Sequence, residues 1–231
     1  MKFPEISPVI LGTVTTAAGL RALGRTSLVA DAVEVRVDAL LAGKVSVETI
    51  EAALRRRKHP VLITLRIPAE GGRRVWKVKE RRELFLRLLP LAEAIDVELA
   101  TASAMRGPIE EARRAGKTVV LSAHAIKRPA AAAQFAKWVG QYEDRPGTIL
   151  KVAALIRSWR DLQQLAALLV NRPEWPVAVM GLGPFAAQSR SALTALGSRL
   201  VYGWLDAPAA PGQPSAAEVR RMVAGGGAKM G

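Results

Sequence analysis

Short apolar segments rich in β-branched residues alternate with segments of helical periodicity along the whole 231-residue chain. Eight strands, each followed by a helical segment, indicate a parallel sheet, and eight such units are the number that closes a (β/α)8 barrel. An open doubly wound sheet is the alternative. The predicted strands are 8–14, 32–37, 60–66, 94–99, 118–122, 149–153, 176–180 and 199–203. The predicted helices are 17–23, 47–58, 80–89, 103–115, 129–139, 159–170, 184–196 and 215–224.

No linker or change of composition divides the chain, so its parts are expected to share one core. Half of the residues are apolar and 5% are aromatic, which indicates a core built mainly from Ala, Val, Leu and Ile. We therefore predict a single-domain (β/α)8 TIM barrel over residues 1–224. Three consecutive glycines begin the last segment, and we predict a flexible tail over residues 225–231.

Composition also excludes several classes of site and location. The chain has no cysteine and two histidines, which rules out disulfides and thiolate metal sites and leaves too few imidazoles for a typical zinc site. No apolar run approaches the ~18 residues of a membrane span, and the first residues lack the zones of a signal peptide. We expect a cytoplasmic protein without a membrane segment.

The net charge of +14 requires a separate explanation. Basic residues crowd two segments, residues 55–58 and 73–82, and such patches can bind phosphate backbones. The aromatic residues that single-strand binders place between basic ones are missing here, and no nucleic-acid-binding motif is present. We interpret the charge mainly as a solvated surface, and do not expect nucleic acid as the partner. A small anionic substrate is a further use for positive charge.

Lys151 is the most unusual residue of the predicted strands, because it interrupts an apolar run from Thr148 to Ile156. Burial disfavours the charged form of a lysine, and a neutral amine is a nucleophile for carbonyl carbon. The alternative is that its long side chain extends to water at the end of the strand. The first interpretation suggests Schiff-base chemistry.

Other reactive residues stand near the carboxyl ends of predicted strands or in the loops that follow, and these ends meet at the catalytic face of a barrel. His124 suits general acid–base chemistry, and Glu70 is a carboxylate that can orient its imidazole. The arginines among them can hold carboxylate or hydroxyl oxygens and oppose the charge on Lys151. His59 precedes the third strand, so we interpret it as structural or solvated. The candidates are Glu34, Arg36, Arg66, Glu70, His124, Lys151, Arg190 and Gln213.

A competing motif follows the seventh predicted strand. Gly181 and Gly183 open a glycine-rich turn before a helix, and Asp206 stands at roughly the distance of the acidic residue in a dinucleotide-binding fingerprint. The remaining chain is too short for the rest of such a domain. We interpret the motif as a tight strand-to-helix turn.

Six motifs in order resemble the type I 3-dehydroquinate dehydratase family, whose members are Schiff-base-forming (β/α)8 enzymes of the shikimate pathway of aromatic amino-acid biosynthesis. The resemblance spans nearly the whole chain. The motifs are the E-x-R-x-D strand at 34–38, Arg66 with Glu70-Gly71-Gly72, Ser122-Ala123-His124, Lys151-Val152-Ala153, Met180-Gly181 leading to Ser189-Arg190, and Ala210-Pro211-Gly212-Gln213.

The resemblance implies a role for each candidate. Lys151 forms an imine with the ketone of 3-dehydroquinate, while His124, held by Glu70, removes a proton from the adjacent carbon and later protonates the departing hydroxyl. The product is 3-dehydroshikimate. The implied substrate contacts are Arg190 and Gln213 at the carboxylate, and Glu34, Arg36 and Arg66 at the ring hydroxyls. The implied partner is a small anionic cyclic keto acid. Neither a metal nor an organic cofactor is implied, and we consider a homodimer as the assembly.

Several residues depart from the family pattern. Ala125 follows the histidine where Asp or Asn is usual, Ala209 replaces a serine that contacts substrate in some members, and Leu182 replaces a frequent methionine. Two alternatives therefore stay open: a Schiff-base enzyme acting on a different keto acid, or a catalytically impaired barrel that binds anions or nucleic acid through its basic surface.

Overall fold

The computed structural model describes residues 1–209 and 212–225. It contains a single eight-stranded parallel sheet wrapped by helices, which confirms the predicted (β/α)8 barrel. The strands are β1 (Val9–Val14), β2 (Ala32–Arg36), β3 (Val61–Thr64), β4 (Ala94–Glu98), β5 (Thr118–Ala125), β6 (Thr148–Leu155), β7 (Val177–Leu182) and β8 (Leu200–Trp204).

The α-helices follow the predicted order with one addition. They are α1 (Ala17–Leu20), α2 (Val37–Ala42), α3 (Val47–Arg55), α4 (Val78–Leu88), α5 (Arg106–Arg114), α6 (Ala132–Gln141), α7 (Trp159–Val170), α8 (Ala186–Ala195) and α9 (Ala216–Gly225). The addition is α2, which begins at the residue after β2 without an intervening turn. The predicted boundary at residue 224 falls inside α9, since Gly225 is still helical. The rest of the predicted tail, 226–231, lies outside the described residues.

Local sequence accounts for the best-defined helix. Ser158 caps α7 by accepting from the backbone N–H of Asp161, whose side chain accepts from the backbone of Ser158 in return. This reciprocal arrangement satisfies backbone groups that a helix end leaves without partners. The observed bounds of α7 coincide with the prediction.

The sheet order is β7-β6-β5-β4-β3-β2-β1-β8. The two strands at its ends meet through a small set of hydrogen bonds. Arg199 N donates to Val177 O at 2.8 Å. The buried Ser198 hydroxyl accepts from Val179 N at 3.0 Å and donates to Val179 O at 3.2 Å. A serine side chain thus substitutes for part of a backbone ladder where the barrel closes.

The inside of the barrel changes from apolar to polar along the strands. One layer of inward-facing side chains is apolar, and it includes Leu11, Ala32, Leu62, Ala94, Val120 and Ile149. Side chains two residues further along a strand face the same side. Those positions hold buried polar residues: Thr13, Glu34, Thr64, Asp96, Ser122 and Lys151. Because side chains alternate with a period of two, the polar layer lies directly on the apolar layer. The polar layer is the one nearer the carboxyl ends of the strands.

The larger apolar core lies outside the sheet, between the strands and the helices. Leu40, Ile50, Phe85, Leu165 and Leu193 each present buried side chains to it from a different helix. This two-layer packing holds the strands that carry the polar layer. No helix in residues 1–209 and 212–225 is long and apolar enough to cross a membrane.

Candidate active site

All eight residues predicted from the sequence line one cavity at the carboxyl ends of the strands. Thr13, Met180, Tyr202 and Ala209 complete much of its wall. A larger cavity of about 860 Å³ opens at the opposite end of the barrel, beside Phe3 and Trp175. None of the eight predicted residues lies in that larger cavity. The residues that can do chemistry therefore identify the smaller cavity as the candidate site.

Lys151 is 3% exposed and its amine stays within the barrel, so the alternative in which it extends to water is wrong. Nζ donates to Asp96 Oδ2 at 2.9 Å and lies 3.8 Å from Glu34 Oε1. The ring of Tyr202 lies 4.1 Å from Nζ, with its face toward the amine. The sequence suggested arginines around Lys151, whereas its nearest charged neighbours are two carboxylates.

Asp96 was missed by sequence reasoning, although it is fully buried at the centre of the polar layer. It accepts from Lys151 and from Arg66 Nη2 at 2.9 Å each, and from Ser122 Oγ at 2.6 Å. Burial opposes its ionisation, but Arg66 and Lys151 outweigh that effect and hold its pKa well below the usual range. The sequence did indicate this position. Asp96 stands two residues after Ala94, and side chains two residues apart in a strand face the same side.

Arg66 and Arg81 enclose another buried carboxylate, Glu98. Arg66 Nη1 donates to Glu98 Oε1 at 3.2 Å and to Ser122 Oγ at 2.7 Å, while Arg81 Nη2 pairs with Glu98 Oε2. Arg81 also donates to Leu65 O at 2.9 Å. The network links strands β3, β4 and β5 with helix α4. Arg81, which was counted with a basic surface segment in the sequence, is only 2% exposed and belongs to this interior network.

His124 and Glu70 form a hydrogen-bonded pair, with Nδ1 and Oε2 2.7 Å apart. Both side chains are largely buried, with 10% of His124 and 12% of Glu70 exposed. Burial raises the pKa of Glu70 to about 7, while burial together with the nearby charge of Arg66 lowers the pKa of His124 well below its ordinary value. An imidazole with a lowered pKa stays neutral at neutral pH, which is the form that accepts a proton.

The strands place His124 near Lys151. In the register of β5 and β6, Ser122 pairs with Lys151 and His124 pairs with Ala153. His124 thus stands two residues, about 6.6 Å along the strand, closer to the cavity mouth. β5 was predicted to end at Ser122, but its ladder continues to Ala125 and fixes the backbone of His124.

The loop that carries Glu70 is tied to β2. Arg36 makes two hydrogen bonds with Asp38, at 2.9 and 2.8 Å, and a third with Gly71 O at 3.2 Å. The buried Asp38 carboxylate also accepts from Arg73 N at 3.0 Å. A side chain at Gly72 would place Cβ 2.1 Å from Arg66 O, so this position requires glycine. These contacts hold Glu70 at the distance His124 needs.

Arg190 is 5% exposed and has little opposing charge around it. Its Nη1 donates to Ala186 O at 3.0 Å, and its Nε has no hydrogen-bond partner among the described residues. Burial lowers its pKa to about 10. Gln213 lines the same cavity, accepts from Ala209 N at 2.7 Å and approaches Thr13 Oγ1 at 3.5 Å. An unpaired buried cation of this kind attracts an anionic group.

A model of the type I 3-dehydroquinase family matches residues 9–225 of the chain. The chain belongs to this family. A curated 3-dehydroquinate dehydratase from Methanosarcina barkeri is 30% identical over 206 residues, which cover 84% of each chain. The solved structure of 3-dehydroquinate dehydratase from Aquifex aeolicus matches with a TM-score of 0.77 and 26% identity, over 93% of this chain and 96% of that one. The structure from Geobacillus kaustophilus matches with a TM-score of 0.82 and 22% identity, over 94% and 90%. The predicted family is confirmed.

The residues that resembled a dinucleotide-binding fingerprint, Gly181, Gly183 and Asp206, have structural roles in this chain. Asp206 accepts from the backbone N–H groups of Thr15 and Thr16 and from the Thr16 hydroxyl, so it is engaged at the start of α1. A Cβ at Gly181 would lie 2.4 Å from Ile156 Cδ1, and Gly183 has a φ of +86°. Close packing and a left-handed turn therefore account for these glycines.

The remaining predicted features lie away from the cavity. His59 Nε2 contacts Arg25 O at 3.1 Å, just before β3. In the two basic segments, Arg57 pairs with Glu93 at 2.7 Å and Arg74 pairs with Glu80 at 2.6 Å. These arginines are partly neutralised within the chain. The expectation that nucleic acid is not a partner, and the homodimer, stay predictions.

Proposed function

We propose that this protein is a lyase that converts 3-dehydroquinate to 3-dehydroshikimate and water through an imine on Lys151. The observation that carries the proposal is the convergence, in one cavity, of the buried amine of Lys151, the His124–Glu70 pair and the unpaired guanidinium of Arg190. Membership of the family supports the reaction. The implied substrate is a small anionic cyclic keto acid.

The first step joins the substrate to Lys151. The amine attacks the ketone carbon, and two of the ammonium protons pass to the ketone oxygen. The carbon–nitrogen bond forms as the carbon–oxygen bond breaks, so the ammonium and the ketone give a protonated imine and one water. Asp96 and Glu34 lie against Nζ, and these buried carboxylates stabilise a positive charge on the nitrogen. The face of the Tyr202 ring adds a further favourable contact with that charge.

The second step removes a proton from the carbon next to the imine. The electron pair left by the proton moves toward the imine nitrogen, so the imine lowers the barrier. His124 is the proposed base, because its ring is neutral and stands nearer the cavity mouth than Lys151. Glu70, when ionised, accepts a hydrogen bond from Nδ1–H of His124 and leaves Nε2 free to take the substrate proton.

The final steps release the product and regenerate the free amine of Lys151. The proton held by His124 passes to the departing hydroxyl, which leaves as water and creates the carbon–carbon double bond. Water then hydrolyses the imine, which releases the product ketone and restores Lys151. Imine formation releases one water and hydrolysis consumes one, so the net change is the loss of a single water from the substrate.

The remaining predicted residues are proposed to orient the substrate. Arg190 and Gln213 are proposed to bind its carboxylate, because Arg190 is a buried cation with little opposing charge around it. Glu34, Arg36 and Arg66 are proposed to contact its hydroxyls. Arg36 commits Nε and Nη2 to Asp38 and Gly71, which leaves Nη1 without a partner in the part of the chain that the structure describes.

Two alternatives differ from this proposal in outcome. A Schiff-base enzyme for another keto acid would form an imine but prefer a different substrate. Ala125 and Ala209 motivate this alternative, and Ala209 lines the cavity. An impaired barrel that binds anions or nucleic acid would form no imine and would bind in a salt-sensitive way. A panel of keto acids and a salt titration with RNA separate the three.

Borohydride trapping tests the proposal directly. Borohydride reduces an imine to a stable amine, so incubation with 3-dehydroquinate is expected to add one ligand mass to the intact protein, located at Lys151 by peptide mapping. Lys151→Ala is expected to abolish both the adduct and turnover. Lys79→Ala, which removes a lysine whose side chain is 87% exposed, is the matched control and retains both. A correctly folded protein that gives no adduct would contradict the proposal.

A further inference from the structure

Tyr202 carries a hydroxyl that no contact within the described structure uses. The residue lies in β8, is 4% exposed and lines the cavity of the proposed active site. Its hydroxyl is closed to solvent and has no hydrogen-bond partner among the described residues. A buried polar group without a partner destabilises the folded protein, because its hydrogen bonds to water are lost and not replaced. Phenylalanine would fill the same space without that cost.

The ring of Tyr202 places this hydroxyl beside the reacting amine. Lys151 Nζ lies over the face of the ring, 4.1 Å from its centroid, and both residues line the same cavity, so a substrate joined to Nζ lies against the Tyr202 side chain. Burial, with Glu34 and Asp96 nearby, raises the pKa of Tyr202 well above its ordinary value. The hydroxyl therefore keeps its proton and is available as a neutral hydrogen-bond donor.

We propose that the Tyr202 hydroxyl is a specificity-determining substrate contact, which donates a hydrogen bond to an oxygen of the cyclic keto acid held at Lys151. The inference rests on the proposed function and extends it to a residue that none of the predicted motifs contains. Binding of the substrate supplies an acceptor for this hydroxyl, which has no partner among the described residues. The unpartnered hydroxyl destabilises the free protein, whereas its hydrogen bond to the substrate stabilises the complex. Residues at functional sites often reduce the stability of the free protein in this way.

The chain offers a matched control, because it has two tyrosines. Tyr142 is also buried, but its hydroxyl donates to Thr148 O at 3.0 Å, beside the larger cavity at the opposite end of the barrel. Tyr142→Phe removes a satisfied hydroxyl and Tyr202→Phe removes an unsatisfied one. Both substitutions remove one hydroxyl and keep the aromatic ring, so their effects on packing are matched.

The experiment measures 3-dehydroquinate kinetics and thermal unfolding for wild type and both variants. Tyr202→Phe is expected to raise KM roughly tenfold with little change in kcat, as one lost hydrogen bond would. Its unfolding midpoint without ligand is expected to equal or exceed that of wild type. Tyr142→Phe is expected to lower the midpoint and leave KM unchanged.

The outcomes separate the two proposals. An unchanged KM in Tyr202→Phe, or a lowered midpoint like that of Tyr142→Phe, overturns the role of the hydroxyl while wild type stays active. Absence of turnover and of a borohydride adduct in wild type overturns the proposed function itself, whatever the variants do. A raised KM with an undiminished midpoint supports the inference, because a merely structural hydroxyl would not produce that combination.

Discussion

Asp96 accepts a hydrogen bond from the amine of Lys151 at 2.9 Å, although 55 residues separate them in the chain. The same carboxylate oxygen accepts from Arg66 at 2.9 Å. One buried anion thus holds two buried cations, and the direction in which Lys151 points follows from the position of Asp96 in β4. The nucleophile is oriented by a residue outside the predicted trio of Lys151, His124 and Glu70.

The first prediction concerns this shared carboxylate. Asp96→Asn keeps the shape but leaves Lys151 and Arg66 as buried cations short of an anion. Removing one partner of a buried ion pair costs roughly 3–5 kcal/mol, so the free energy of unfolding is expected to fall by about that amount. Imine trapping is expected to fall as well. Urea unfolding and borohydride trapping measure the two effects.

Glu83→Gln is the control for Asp96→Asn, since Glu83 pairs with Lys79 at 3.9 Å on the surface and is 64% exposed. Such surface pairs contribute little to stability. Equal unfolding midpoints for the two variants would contradict the central position given to Asp96.

The second prediction concerns the pH dependence of activity. The pKa of Glu70 is about 7, and its ionised form accepts a hydrogen bond from Nδ1–H of His124. Below pH 7 the protonated carboxyl can instead donate to Nδ1, which moves the imidazole proton to Nε2 and blocks the base. We expect kcat/KM to rise with pH through about 7. Glu70→Gln is expected to lose this titration along with most of the activity, and a rate profile that keeps the same limb would refute the assignment.

The third prediction applies the same raised pKa to stability. The ordinary pKa of Glu70 is 4.5 and its folded value is about 7, so the folded protein binds more protons between these values than the unfolded chain does. The contribution of Glu70 is fully present below pH 4.5 and is lost as pH rises through about 7. Chemical unfolding of wild type and Glu70→Gln across pH 4–8 should show the stability of wild type falling relative to that of Glu70→Gln as pH rises from 4.5 to about 7; parallel curves, or a relative gain by wild type, would contradict the assignment.

The fourth prediction concerns Arg190. Arg190→Met removes a buried cation with little opposing charge, so we expect the free protein to become more stable, while KM rises about 10–100-fold through loss of a charge-assisted hydrogen bond. Thermal unfolding and steady-state kinetics measure the two quantities. The exposed Arg160→Gln in α7 serves as control and should change neither. Loss of stability in Arg190→Met would place the residue in the structural core rather than the binding site.

The fifth prediction concerns the loop that carries Glu70. Gly72→Ala would bring a Cβ against Arg66 O and displace the loop, so turnover is expected to fall sharply. Gly140 in α6 has open space around it, and Gly140→Ala is expected to stabilise the protein by about 0.5–1 kcal/mol with unchanged activity. Activity assays and unfolding curves on both variants make the comparison; full activity in Gly72→Ala would contradict the anchored position of Glu70.

Sequence patterns predicted the eight strands and most helices because hydrophobic periodicity is a local property. They failed where one element runs into the next. Helix α2 begins at Val37 without a turn residue after β2, so its first residues resembled a continuing strand. β5 continues through His124 and Ala125, where a polar and a small residue gave no strand signal.

The residues of the candidate site were likewise predicted only in part. Lys151, His124, Glu70 and the arginines could be found because their strand-end positions predict one face of a barrel and their motifs resemble a family. Asp96 and Tyr202 were missed, since an acid in a strand and an aromatic residue in a strand each have ordinary structural explanations. Their contacts with Lys151 depend on which strands face each other across the barrel.

The amino-acid sequence by itself determined the order of elements, the alternation of inward and outward side chains, and the end of the barrel at which the reactive residues meet. The tertiary structure decided which charges pair: Lys151 with Asp96, Arg36 with Asp38, and Arg190 with no carboxylate among the described residues. Periodicity is a relation between neighbours in the chain. Pairing energies and the pKa of Glu70 depend on distance and on exclusion of water, which exist only once the barrel has closed and its interior is packed.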